Sequence, residues 1–381
     1  MLLDQGGRTV RRKERVRGMR RELTVDVLVV GLGPAGACAA AAAGRAGLRV
    51  LAIDRKAEAG IPVQCAEFVP AMIGQEIGAV GLTRRQSIRS MTTYVEAAGP
   101  HMKEHFPGHM IDRAAFDAAL VRDAKAAGAD CRFGTVLRRL DGCGIAELSR
   151  RSVDPSERWT VHARVIIGAD GPRSAVGQAI GQVNRELAET RQITVPLLQP
   201  FEATDIFLSA GIRGGYAWLF PKGEVANLGL GVEPAARDRL KPLLENLHQR
   251  LVSEGRVGSR VLRHTGGAIP VGGMLEPAGR CGETVILLAG DAAGLTNPVT
   301  GAGINAAVIS GTLAGEAAAR ICGGDADAAA DYAEELADLF GSSLARALAR
   351  RRELMQTYAT GGPSPSDLER SWIAFPAYWA A

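Results

Sequence analysis

Residues 62–70 read PVQCAEFVP, placing a thiol, Cys65, and a carboxyl, Glu67, two positions apart between Pro62 and Pro70. Either group can hand over a proton, and a proton source is effective when it is close to its target and prearranged. The two prolines and the Ile61–Pro62 step stiffen this stretch, so the thiol is presented rather than buried in a core. A second cluster lies upstream. Gly31, Gly33 and Gly36 are spaced as G-x-G-x-x-G, enclosing Pro34 and Ala35, and Asp54 stands 23 residues after Gly31 with Arg55 beside it. In such a turn the first glycine permits the tight bend, the second lets a pyrophosphate approach the backbone, and the third lets helix and strand pack closely. The acid accepts from ribose hydroxyls. The chemistry is that of holding a dinucleotide.

The glycine turn needs a strand before it and a helix behind it, and both are legible. Val25 to Val30 form a continuous apolar run, as a parallel strand covered on both faces should. An alanine-rich helix follows, with Ala40 and Gly47 extending its small-residue face, and LRVLAID is the second strand. Phosphates then sit on the free N–H groups at the helix amino terminus. Far downstream, RVIIGADGPRSAVGQAIG (164–181) is a strand entering a turn at Asp170, followed by a helix that Ser174 can cap. Residues 284–321 give another apolar strand, then Gly290 and Asp291, a loop, and a long helix starting near Gly301, Gly303 and Ile304. A nicotinamide-dinucleotide dehydrogenase needs no such return strand. A flavin enzyme does, because ribitol and isoalloxazine extend across the sheet and need a late acid. The helix starting at 301–304 points its positive end where negative charge develops on flavin reduction. FAD is therefore the expected cofactor.

These segments, with MIDRAAFDAALVRDAKAAGA (110–129), resemble the FAD-dependent para-hydroxybenzoate-hydroxylase and glutathione-reductase type of fold. Within it they most resemble the geranylgeranyl reductase family, over about residues 24 to 322. The stretches that carry the likeness are PVQCAEF, GYAWLFPKGEVANLGLGV (215–232) and GDAAGLTNPVTGAGI (290–304). The resemblance implies that Arg113 reaches the flavin-side phosphate or ribose and Asp291 the ribitol. It also implies that the Cys65 loop runs back over the isoalloxazine. Reduction of an isolated C=C bond needs a hydride from the flavin and a proton from elsewhere, and Cys65, helped by Glu67, is the expected source or shield. Here the thiol is followed by Ala-Glu, where the family more often has Gly-Gly or Gly-Glu, and the carboxyl-terminal part is short.

The expected fold class is α/β (α+β), a Rossmann-like FAD-binding domain with an inserted antiparallel-sheet substrate domain and a helical carboxyl-terminal segment. The FAD-binding domain is discontinuous, at 23–84, 107–182 and 276–323. Residues 85–106 and 183–275 form the substrate domain through short strands such as ATDIFLSAG, GYAWLFPKG, VANLGLGV and GGAIPVGG, crossed by a helix at 234–254. Tyr216, Trp218 and Phe220 alternate along one strand and so face one side, as an aromatic wall for a hydrophobic substrate. Residues 324–381 are read as helical up to 358, then broken at 361–366.

The net charge of +4 is misleading, because residues 1–22 carry eight Lys/Arg against three acids, a tail charge of +5 that leaves −1 on the body. A near-neutral body offers no footprint for nucleic acid. The tail reads as a disordered extension, or as residues ahead of an internal start at Met19. Val27–Gly44 imitates a signal sequence, but its glycines serve the nucleotide turn, so a cytoplasmic protein is expected. The six dispersed cysteines form no CxxC pair. His101, His105 and His109 have ladder spacing, but Pro107 and Gly108 break any helix there, so no metal site is expected. No second G-x-G-x-x-G is present, so NADPH must dock without a Rossmann unit of its own, or a protein donor supplies electrons. Trp372, Phe375, Tyr378 and Trp379 offer either peripheral membrane contact or internal packing. The leading functional reading is an FAD-dependent reductase of geranylgeranyl or related isoprenoid lipids. The alternatives are a flavin monooxygenase or halogenase, and a non-catalytic prenyl-binding protein.

Overall fold

A computed structural model describes residues 21–71, 78–151 and 158–380. Nearly all of the basic tail expected at 1–22 lies outside these residues. The first strand opens at Arg21, inside that expected tail, because Arg21 to Val25 pair in parallel with Trp159 to Ala163.

Two large sheets divide the molecule. In the first, the strands run in the order Ala278–Cys281, Thr284–Leu288, Arg158–Gly168, Arg21–Val30, Val50–Asp54 and Asp130–Phe133, with Ile145–Arg150 paired to the long Arg158–Gly168 strand and Thr135–Leu140 paired in turn to Ile145–Arg150. The five strands from Thr284–Leu288 to Asp130–Phe133 are parallel. Val27, Leu28, Val29, Ile166, Ile167 and Ile286 are wholly buried, as strands covered on both faces must be. Helix Pro34–Arg45 packs between helices Ile304–Gly323 and Arg113–Ala126. Its closest neighbour is reached through glycine, since a Cβ on Gly311 would strike the Ala35 carbonyl and one on Gly315 would sit 2.5 Å from the Ala39 carbonyl.

The second sheet runs in the order Arg263–Pro270, Leu187–Pro196, Val225–Val232, Ala217–Lys222, Ala203–Leu208, Ser90–Val95 and His101–Lys103. Only the Ala203–Leu208 and Ser90–Val95 pair is parallel. Helix Leu240–Ser253 covers one face through Leu240, Leu244 and Leu251. The strand Leu187–Pro196, central to this half, escapes the sequence reading. Of the expected 85–106 contribution, Ser90–Val95 and His101–Lys103 join the large sheet, while Arg84–Ile88 pairs with Gly108–Ile111 in a small third sheet. That small sheet also holds Phe68–Pro70, and so anchors the end of the Cys65 loop.

The carboxyl-terminal segment forms helices Ala328–Leu336, Ser342–Thr357 and Pro365–Arg370. Trp372, Phe375 and Tyr378 are buried, and Trp372 packs 4.6 Å from the Tyr216 ring. Three of the four aromatics once open to a membrane reading are therefore core residues, and two of them, Trp372 and Phe375, pack with Trp218, Phe220, Met91 and Met110 on one face of the second sheet. Trp379 alone is exposed, with Arg346 over its ring. No helix among the described residues is long and apolar enough to cross a membrane.

Candidate active site

The glycine turn has the geometry its spacing requires. Gly31 adopts φ +98°, and a Cβ there would run into the Ala169 carbonyl, while a Cβ on Gly36 would run into the Gly31 carbonyl. Gly33 is different, since nothing lies within 4 Å of the position its Cβ would take. Space is left open directly over the start of helix Pro34–Arg45, and no side chain caps that helix. Asp54 is buried at the adjoining strand end, where it accepts from the Leu32 N–H at 2.8 Å and the Lys56 N–H at 2.7 Å. Those two bonds fix its carboxylate beside the turn. Helix Ile304–Gly323 also lacks a side-chain cap. Because Ala35 lies against Gly311 and Ala39 against Gly315, the two helices run side by side and both uncapped positive ends face one end of the parallel sheet. An extended dinucleotide with a pyrophosphate and a reducible ring fits that arrangement.

The late segment closes over the same end. Asp291 accepts from Thr296 Oγ1 at 2.7 Å, and a Cβ on Gly303 would sit 2.8 Å from that hydroxyl. Gly290 and Gly301 both hold positive φ, at +60° and +69°. Burial raises the Asp291 carboxyl above its ordinary range, opposed by the Thr296 hydrogen bond and the charge of Arg113.

Three of the expected site residues, Asp170, Arg113 and Glu67, have partners within the protein. Asp170 receives Ser174 Oγ and the Ala175 N–H at 2.7 Å, so its carboxylate closes its own turn. Ser174 does cap the short helix that follows, accepting from the Gly177 N–H. Arg55 is exposed. Arg113, expected on the flavin phosphate or ribose, instead forms a paired bridge to Asp117 at 3.0 and 3.1 Å. Burial lowers the basicity of its guanidinium, but Asp117 and the nearby Cys65 raise it more. Glu67 departs furthest from expectation. It is fully buried and holds φ +71°. Its carboxylate accepts from Lys222 Nζ at 2.8 Å, Asn227 Nδ2 at 2.8 Å and the Arg113 N–H at 3.1 Å, with Arg263 at 3.5 Å. A carboxylate so surrounded is an anchor, joining the loop to strands Ala217–Lys222 and Val225–Val232. The anchoring offsets a left-handed backbone that costs a non-glycine residue about 1–3 kcal/mol.

Cys65 remains the presented group. Its sulfur accepts from the Glu67 N–H at 3.1 Å, which leaves its own S–H free to donate. Its carbonyl accepts from Gln192 Nε2 at 3.1 Å, and Gln192 Oε1 accepts from Trp218 Nε1 at 3.0 Å. Tyr216, Trp218 and Phe220 share one face as expected, with successive ring centroids 5.6 and 6.2 Å apart. Tyr216 donates its hydroxyl to the Thr300 carbonyl at 2.5 Å, tying this wall to the loop before helix Ile304–Gly323. Gln192, Lys222, Asn227 and Arg263 thus belong to the site although the sequence reading passed over them. The one available signal was the alternation in AETRQITV, which places Thr190, Gln192 and Thr194 on one face of a strand.

Comparison with known proteins agrees with this geometry. Residues 24–202 match the FAD binding domain family and residues 193–269 the geranylgeranyl reductase catalytic domain. Digeranylgeranylglycerophospholipid reductase 1 of Methanopyrus kandleri is 37% identical over 311 residues, covering 77% of this chain and 80% of that protein. The chain belongs to the geranylgeranyl reductase family. A solved geranylgeranyl bacteriochlorophyll reductase-like protein of Thermoplasma acidophilum has a TM-score of 0.80 at 26% identity, covering 91% of this chain and 90% of that one. A flavin-dependent brominase shares the fold alone, with a TM-score of 0.65 at 18% identity and 88% coverage of each chain. As a member of the family the protein is an FAD-dependent oxidoreductase.

Proposed function

We propose that this enzyme saturates isolated C=C bonds in the geranylgeranyl chains of a glycerophospholipid, the substrate class named for its relatives. The observation that carries the reading is the chain of contacts from Cys65 through Gln192 to Trp218, which couples a presented thiol to an aromatic wall. When bound, reduced FAD supplies the hydride. The protein's own residues supply the rest. Tyr216, Trp218 and Phe220, packed with Trp372 and Phe375, form a dry apolar backing behind the Cys65 loop that keeps water from the prenyl chain. Cys65 Sγ holds the proton that the second alkene carbon requires, and Arg113 stands beside the sulfur to meet the negative charge left when it departs. Glu67 positions this loop and is not the donor. Segments 23–84, 107–182 and 276–323 hold the flavin in this reading, and 85–106 with 183–275 hold the lipid. The enzyme would meet its lipid at a bilayer surface, through a face other than its buried carboxyl-terminal aromatics.

The test is anaerobic reduction of the flavin followed by incubation with a lipid panel and mass analysis. A gain of two hydrogens per double bond is the expected result. A gain of oxygen on admitting air, with no hydrogenation, would make the enzyme a monooxygenase and reject the reading.

A further inference from the structure

Beside the Cys65 loop a groove of about 840 Å³ runs along the edge strand Arg263–Pro270. Its floor includes Ile61 to Gln64, and its walls carry four cations, Arg191, Arg237, Lys241 and Arg263, against a single carboxylate, Glu189. Glu189 is already bridged to Arg173 at 2.9 Å. Arg191 and Arg237 have no acidic partner among the described residues, and Arg263 only shares the buried Glu67 with Lys222. So concentrated an excess is at odds with a body whose overall charge is −1 by subtraction of the tail. The edge strand adds a further donor. Gly266 turns its carbonyl away from strand Leu187–Pro196, accepting from Gln64 at 3.0 Å. In an antiparallel ladder a residue's N–H faces the same way as its carbonyl, so the Gly266 N–H also points out of the sheet, with no side chain to cover it.

We propose that this groove is a phosphate-binding site for a ligand whose other end reaches the Cys65 loop. Guanidinium groups converging from a strand and a helix start, with a bare backbone N–H, suit the several oxygens of a phosphate better than a single carboxylate. The proposal rests on the flavin-reductase reading, because two phosphate carriers serve such an enzyme: the headgroup of a prenyl phospholipid, and a reduced nicotinamide dinucleotide. The latter needs a place to dock in a chain with one glycine fingerprint. Gln64, bonded to the edge strand and adjacent to Cys65, links groove and thiol.

The first measurement is calorimetric titration of inorganic pyrophosphate into the FAD-loaded full chain, where bound FAD blocks its own phosphate cradle. Arg191→Gln/Arg237→Gln should weaken binding by about tenfold or more per lost cation, with flavin absorbance and melting temperature unchanged. Lys241→Gln, on an exposed helix surface, is the second variant should the first fail to fold. Unchanged pyrophosphate affinity in the folded variants overturns the site. Two further arms identify the carrier. With flavin reduced by dithionite, so that no nucleotide is needed, a raised KM for geranylgeranyl phosphate but not for geranylgeraniol, at constant kcat, assigns the groove to the lipid headgroup. A raised NADPH concentration for half-maximal anaerobic flavin bleaching, with lipid kinetics unmoved, assigns it to the nucleotide. If pyrophosphate binding weakens as expected while wild type reduces neither lipid, the site stands and the substrate reading fails.

Discussion

In the parallel sheet that begins with Arg21–Val30, contacts are made where side chains are missing. Gly31, Gly36, Gly311 and Gly315 bring backbone against backbone. In the sheet that carries Ala217–Lys222, contacts are made by large or charged side chains meeting across the chain: Trp372 on Tyr216, Trp218 on Gln192, and Lys222 and Asn227 on Glu67. One half is ordered by what cannot fit, the other by partners that must find each other. The first kind of constraint is local and tolerates no Cβ. The second is distributed, so each partner is worth a few kcal/mol and none is visible alone.

That contrast can be broken at its strongest point first. Gly36→Val should abolish folding of the FAD half, because its Cβ has no space beside the Gly31 carbonyl. Gly33→Val should leave a folded but colourless protein, since its Cβ meets only the open space left for pyrophosphate. Circular dichroism and bound-flavin absorbance separate the two, and a fully yellow Gly33→Val protein would remove the turn from the FAD site.

In the other half, Trp372→Ala should cost about 3–5 kcal/mol in denaturant unfolding, the usual range for emptying a buried aromatic site. A loss below about 1 kcal/mol, accompanied by loss of liposome co-sedimentation, would instead make the carboxyl terminus a membrane element.

Glu67→Gln should cost about 3 kcal/mol, because Lys222 is left in a nearly dry site without its counter-charge. Its signature is a fall in melting temperature together with lost activity. A variant of unchanged stability and lost activity would make Glu67 a proton donor after all.

The smallest effect per unit of change lies at alkaline pH. Burial pushes the Cys38 thiol up to about 12 from an ordinary 9.0. Between those values the unfolded chain releases a proton that the folded chain keeps, so stability falls as pH rises through that window, by up to about 1.4 kcal/mol per pH unit. Cys131, raised by burial to about 11, adds to the slope. Cys38→Ala should flatten the decline in urea midpoint between pH 9 and 11, and an unaltered slope would assign the effect elsewhere.

Legibility followed the same division. The turn from Gly31 to Gly36, the acid at Asp54, the return strand and the helix from Ile304 could all be read because each rests on spacing within a few residues. The three wall aromatics were readable from the period of a strand. Asp170 also serves its own helix start, and Arg113 also meets an acid one helical turn along, pairings that a reading for ligands alone passed over. The strand Leu187–Pro196 was missed because its polar positions break the apolar run that marks a buried strand, and one of them, Gln192, holds the Cys65 carbonyl.

By itself, then, the sequence determined the cofactor and the family, since a nucleotide turn is a steric problem solved within one strand–helix unit. Only the tertiary structure decided what Glu67 does, where the carboxyl-terminal aromatics go, and that four cations converge on the edge of the second sheet. Lys222 stands 155 residues from Glu67, and Gln192 127 from Cys65. No local pattern encodes such pairs, because their energy exists only once folding has removed the water between them.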